Sequence, residues 1–157
     1  MFKVTGVIGI WLKQPSSNRA FVYDLDDTLL SRVGKNPNLV PFDKRQKESD
    51  DVYILTFRPF EYKDITLSDL KPVEGRLTCV FSRDMIHYPY EGVDLDVFNY
   101  KLSVLSEICK RYQEVYFFEN KKTVIDPISK AGLSNLKCYL VNIMNENNLE
   151  KVIKTKL

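Results

Sequence analysis

The sequence predicts an α/β chain organised as a Rossmann-like, doubly wound, mostly parallel sheet, and three observations carry that expectation. Continuous apolar runs (FVY, VYILT, VYFF and CYLV) suit parallel strands covered on both faces. Between them lie stretches with helical spacing, clearest after Asp96, where Phe98, Leu102, Leu105, Cys109 and Tyr112 recur at three- and four-residue steps. The length of 157 residues, 44% hydrophobic and 28% charged, fits one globular domain with its own core.

Taken in order, the first strand is expected at Lys3–Leu12. Phe2, Val4, Ile8, Ile10 and Leu12 alternate there with Lys3, Thr5 and Lys13, as in a half-buried strand added ahead of the main alternation. Its apolar run is too short to span a bilayer, and no clear small-residue cleavage site follows, so it reads as a strand rather than a leader. Further strands are expected at Ala20–Asp24, Val52–Thr56, Leu77–Ser82, Glu114–Phe118 and Lys137–Val141. Helices are expected at Lys44–Glu48, Val97–Tyr112, Val124–Ala131 and Asn147–Lys154. The last would bury Leu149, Val152 and Ile153 and set lysines near its end, where they suit the helix dipole. Residues 1–19 are then a strand extension, 20–142 the core and 143–157 a C-terminal helix.

Composition narrows the function. A net charge of +2 gives no bulk electrostatic case for nucleic acid or anionic membrane, although a local basic groove stays open. Cys79, Cys109 and Cys138 are odd in number and sit inside apolar runs, which argues against a disulfide framework and for a reducing cytoplasm. His87 is the single histidine, and no Cys/His ligand spacing exists, so zinc chemistry and histidine triads are poorly supported.

The stretch FVYDLDDTLL runs an apolar strand into Asp24, Asp26 and Asp27, followed by Thr28. Residues i and i+2 of a strand share a side, so the carboxylates of Asp24 and Asp26 can reach one reacting centre at the carboxyl end of the sheet, where such folds bind ligands. Close carboxylates commonly divide roles, one ionised and one carrying a proton, and an ionised pair attracts a hard cation such as Mg2+. A plain capping turn built on Asp27 or Thr28 explains the same residues.

Further along, Thr56 ends the apolar run VYILT, Lys101 falls in the helical stretch and Glu119 ends VYFFE; with the Asp24–Thr28 stretch, this ordered set resembles the haloacid dehalogenase superfamily. Asp24, Asp26 and Thr28 match its D-x-D-x-T motif, and Thr56 in VYILTFRP matches the strand-final Thr or Ser of the second motif. Lys101 matches the basic residue of the third, and Glu119 at the end of VYFFE the acid of the fourth. The resemblance implies a Mg2+-dependent phosphatase. Asp24 would be nucleophile and metal ligand, Asp26 the proton carrier and a ligand through its carbonyl, Thr56 and Lys101 stabilisers of the transferring group, and Glu119 a metal ligand. Many relatives carry a second acid at the fourth motif. Here Asn120 stands next to Glu119, and Asp126 further along is the alternative acid.

Only a flap and a short helix fit between Thr28 and Val52, and one strand plus loops between Thr56 and Lys101, so little or no cap is expected. An open site suits a bulky phosphorylated substrate. Thr56 with Arg58, Phe98 with Lys101, and Glu119 with Asn120 are similar to a minimal subgroup, the haloacid-dehalogenase domains of Swiss-Army-Knife RNA-repair proteins, which implies action on a polynucleotide end. Arg58 and Asn120 would then contact substrate; a surface salt bridge explains Arg58 equally well. A phosphate-binding module without turnover and a small-molecule phosphatase with a lid from a partner subunit are the rival readings.

Overall fold

The structure is a computed structural model that describes residues 2–32, 37–90, 93–143 and 152–157. In chain order its strands are β1 (Val7–Trp11), β2 (Arg19–Tyr23), β3 (Leu30–Ser31), β4 (Asn38–Leu39), β5 (Asp51–Pro59), β6 (Cys79–Arg83), β7 (Glu114–Glu119), β8 (Leu136–Ile143) and β9 (Val152–Lys156). Its α-helices are α1 (Lys63–Leu70), α2 (Asp94–Cys109) and α3 (Lys122–Ser129), and 3-10 turns at Phe60–Tyr62 and Lys71–Arg76 flank α1.

Seven strands form one sheet in the order β1-β6-β5-β2-β7-β8-β9. The inner five run parallel, and β1 and β9 add antiparallel at the two edges. From β2 in the middle the chain winds outward through β5 and β6, then crosses back to β7 and β8. The direction reverses between β2 and β7, and a crevice opens at their carboxyl ends. The architecture is α/β and Rossmann-like.

The apolar runs are continuous because both faces of the inner strands are covered. Ala20, Val22, Tyr53, Leu55, Val115 and Phe117 face Val104, Leu105 and Ile108 of α2 and Val124, Ile125 and Ile128 of α3. The alternate residues Phe21, Tyr23, Val52, Ile54 and Phe118 pack with Leu25, Leu29, Leu30 and Leu70 on the other face. Rings stack across the strands there: Phe21 on Tyr116 at 4.4 Å, Tyr23 on Phe118 at 4.7 Å and Phe118 on Tyr139 at 5.1 Å. The Arg45 guanidinium lies 4.0 Å over Tyr139, and Lys154 Nζ 5.6 Å over Phe118.

Four expectations are corrected. The C-terminal segment is not a helix where it is described: Val152–Lys156 pairs with β8, with Val141 opposite Lys154 and Ile143 opposite Val152. Residues 144–151, which include Leu149, lie outside the described residues. The helical spacing rested on few positions, whereas Val152, Ile153 and Thr155 are β-branched and β8 offers a row of backbone groups to satisfy. The expected helix at Lys44–Glu48 is a pair of turns. Asp43 accepts the Arg45 N–H at 3.0 Å and Asp50 accepts the Lys47 N–H at 2.7 Å, so side chains take donors that a helix would use. Conversely, α1 lies where loops were expected; it has little apolar periodicity, with Ile65 exposed and Thr66 buried. Finally, β1 is packed on both sides rather than one, Val7 and Trp11 against one core and Ile10 against the other.

The three cysteines are free and buried. Among the described residues no helix is long and apolar enough to cross a membrane.

Candidate active site at the strand ends

Asp24 directly follows β2 and prolongs its ladder, donating its N–H to the Phe118 carbonyl at 2.9 Å. The chain then turns sharply. Thr28, Leu29 and Leu30 all donate N–H groups to the Leu25 carbonyl, and Asp27 takes a positive φ of 62°. Asp and Asn tolerate that left-handed conformation better than most residues, which gives Asp27 a local role in the turn. Thr28 Oγ1 donates to Asp24 Oδ2 at 2.8 Å and so fixes the carboxylate's rotamer.

Glu119 ends β7, the neighbour of β2. Its Oε2 accepts the N–H groups of Asn120 and Lys121 at 2.9 and 3.1 Å, at the start of α3, where the helix dipole favours a negative charge. Lys101 reaches in from α2. Its Nζ lies 2.6 Å from Asp24 Oδ1 and 2.5 Å from Glu119 Oε1, and all three side chains are buried. Thr56 stands at the end of the apolar part of β5, 1% exposed; its Oγ1 accepts the Arg58 N–H at 3.1 Å, which leaves the hydroxyl proton to donate elsewhere. The Arg83 guanidinium, buried behind β5, donates to the Phe57 carbonyl at 2.7 Å and to the Tyr88 carbonyl, and so pins the backbone beside Thr56.

These groups share a cavity of about 260 Å3, lined by Asp24, Asp26, Asp27, Thr56, Phe57, Arg58, Val97, Lys101, Glu119, Asn120 and Lys121. Of the residues expected to act in catalysis, substrate binding or metal binding, Asp126 alone lies elsewhere, while Thr28 stands behind Asp24 and Phe98 packs against the core. Asp126 is on the outer side of α3, paired with Lys122 at 2.6 Å one turn away, so it does not substitute for a second acid at the fourth motif.

Charge governs this cavity. Burial, then the nearby Glu119 carboxylate, push the Asp24 carboxyl up to about 7, against the pull of Lys101. Burial disfavours the Lys101 ammonium, but Asp24 and Glu119 outweigh it and hold its pKa above the ordinary lysine value.

Asn120 sits between the two carboxylates. With its amide nitrogen turned toward them it donates to Asp24 Oδ2 at 3.0 Å and to Glu119 Oε2 at 2.9 Å. No three His, Cys, Asp or Glu side chains gather as a metal-binding group among the described residues, so a hard cation held by Asp24 and Glu119 would also need the Asn120 amide oxygen and backbone carbonyls.

Asp26 is held by two arginines. Arg58 holds it bidentately, Nε to Oδ2 at 2.9 Å and Nη2 to Oδ1 at 2.8 Å, and Arg32 adds Nε and Nη2 to Oδ1 at 3.0 and 2.9 Å. Burial works to raise the Asp26 pKa, but the two guanidiniums outweigh it and keep the carboxyl below the usual range. Arg58 is anchored at its far end, where Nη1 donates to Asp69 at 2.8 Å and to Thr66 at 3.3 Å, both on α1. The sequence reading missed Arg32, Thr66, Asp69 and Arg83. An acid eleven residues after an arginine carries no signal unless α1 is recognised, and α1 lacks the apolar stripe that reveals a helix.

No protein-family model matches the sequence, and no curated protein matches it. In structure the chain is similar to one in the Pnkp1/Rnl/Hen1 RNA repair complex, at 21% identity and a TM-score of 0.59. The likeness covers 83% of this chain but 44% of that one, so this chain spans less than half its length. At that identity the likeness shows the fold alone.

Proposed function

We propose that the protein is a Mg2+-dependent phosphomonoesterase of the haloacid dehalogenase type, acting through an aspartyl-phosphate on a bulky substrate such as a polynucleotide terminal phosphate. The observation that carries the reading is the meeting of Asp24, Thr56, Lys101 and Glu119, from four separate elements, in one open cavity at the sheet's switch point. The resemblance of the motifs supports it, and so does the fold shared with a chain of an RNA repair complex.

The residues divide the work. Asp24 attacks phosphorus and forms a P–O bond as the bond to the leaving oxygen breaks. Asp26 gives that oxygen a proton, then takes one from the water that releases phosphate from Asp24. Thr56 donates to the transferring oxygens, and Lys101 balances their growing charge. Asp24, Glu119, the Asp26 carbonyl and the Asn120 amide oxygen would hold Mg2+, which supplies the charge neutralisation an attacking carboxylate needs beside a phosphate dianion. With no domain over the cavity among the described residues, a phosphate on a large molecule can reach it.

The test is a phosphate-release screen with Mg2+ over nucleotides, 3′- and 5′-phosphorylated oligonucleotides, phosphopeptides and sugar phosphates. Release is expected from polynucleotide ends, and Asp24→Asn should abolish it while leaving the circular dichroism spectrum unchanged. Full activity in that folded variant would sink the assignment. A second reading, a phosphate-binding module without turnover, is favoured by one observation: with its amide nitrogen turned inward, Asn120 donates to both carboxylates and leaves no oxygen facing them. Binding of phosphorylated ligands with no release from any would decide for it.

A further inference from the structure

We infer that Arg58 and Arg32 form a subsite for a second phosphate on the substrate, and that Asp26 fills this subsite until the substrate arrives. The inference rests on the phosphatase reading and names the substrate class: a phosphate monoester whose alcohol carries another phosphate, as a nucleoside bisphosphate or an oligonucleotide end does.

The geometry is that of an anion fork already occupied. Nε and Nη2 of Arg58 grip the two oxygens of Asp26 in parallel, the arrangement in which a guanidinium also takes two phosphate oxygens. Arg58 is only 9% exposed and is held from behind by Asp69 and Thr66, so its fork keeps its direction when the occupant changes. Arg32, half exposed, is the more adaptable arm. Arg58 and Asp24 line the same cavity, which places the fork beside the nucleophile.

Asp26 itself supplies the second half of the argument. To act on a leaving oxygen it must come off four guanidinium hydrogen bonds. Nothing in a simple monophosphate replaces it there. A second phosphate does, because it matches the fork and carries at least equal charge. Binding the correct substrate therefore frees Asp26 to turn toward the reaction, and a substrate lacking that group leaves it clamped. Arg58 thus acts as a specificity-determining residue, with Asp69 its positioning partner.

Binding to the Asp24→Asn protein, which does not turn over, tests this in Mg2+-free buffer. Titration calorimetry should show adenosine 3′,5′-bisphosphate bound about tenfold or more tightly than adenosine 3′-monophosphate, the factor expected for a charge-assisted pair. Adding Arg58→Gln should erase the difference. Arg58→Lys, which keeps the charge but not the fork, should also lose most of it. Adding Asp26→Asn should tighten the bisphosphate, because the internal competitor is gone; a residue with only a structural role would not produce that sign. Equal affinities in the parent protein, including no binding of either nucleotide at millimolar concentration, would overturn the inference. So would a preference that survives both Arg58 variants, or weaker binding in Asp26→Asn. Failure of wild type to release phosphate from any substrate would remove the phosphatase reading, while the binding preference stands or falls by itself.

Discussion

Lys101 does at residue scale what burial alone forbids. Its ammonium sits between two buried carboxylates that would otherwise face each other without a countercharge. Removing one partner of a buried ion pair costs about 3–5 kcal/mol, because the charge left behind stays desolvated. Lys101→Met should therefore melt well below wild type in the presence of EDTA. Added Mg2+ should return part of that loss and raise the variant's Tm more than that of wild type, since it would sit between the same two carboxylates. Equal Mg2+ shifts in the two proteins would argue against a cation held by Asp24 and Glu119. Asp24, Thr56, Lys101 and Glu119 were legible in the sequence because each lies at the end of an apolar run or on a strongly patterned helix. Arg32 and Asp69 were not, since a lone charge in a loop or on a weakly patterned helix looks the same whether it is solvated or paired.

At the scale of elements, chain segments take the structure that satisfies their backbone groups. β1 is held in place from its start: the Gly6 carbonyl accepts the Asp84 N–H at 2.9 Å, just past the end of β6. Gly6 has a φ of +80°, and a Cβ there would lie 2.6 Å from Tyr88 Cε2 and 2.9 Å from His87 Cβ. Gly6→Ala should cost about 1–3 kcal/mol, the price of an L side chain in a left-handed conformation, before the clash is counted. Urea denaturation reads this directly, and an unchanged midpoint would show that the segment relaxes freely. The segment behind β9 illustrates the opposite case. Its helical reading depended on three apolar positions, while strand pairing depends on β8, which no local pattern reveals. Lysines on β9 also suit an edge, where charge discourages further pairing.

Across the whole molecule, one sheet face is closed by helices and the other partly by a stapled loop. Asp43, 4% exposed, joins the loop before β5 to β9: it bonds Arg45 at 2.7 Å and Lys154 at 3.2 Å, and both cations lie over the aromatic ladder. Burial works to raise the Asp43 pKa, but these bonds outweigh it, so the folded value lies well below the ordinary one. The sign follows by linkage. A depressed folded pKa stabilises the fold above the unfolded value of about 3.9, and that stabilisation fades as pH falls toward the folded value. Asp43→Asn should therefore have a lower Tm near neutral pH, with the gap to wild type narrowing below about pH 4. A gap independent of pH would mean that the staple acts through shape rather than charge.

The sequence by itself determined the order of β1, β2, β5, β6, β7 and β8 along the chain, the residues at the carboxyl ends of the parallel strands and the two-sided burial of the inner sheet. Each of these is written locally, in apolar runs and their last residues. Only the tertiary structure decided which charges meet. Asp26 pairs with Arg58, 32 residues away, and Asp24 with Lys101, 77 residues away. It also moved Asp126 out of the site and turned the chain's end from helix into strand. Periodicity records which face of an element is buried. It holds no record of what stands opposite, because ion-pair partners and edge pairing are set by distances that exist only once the sheet has closed.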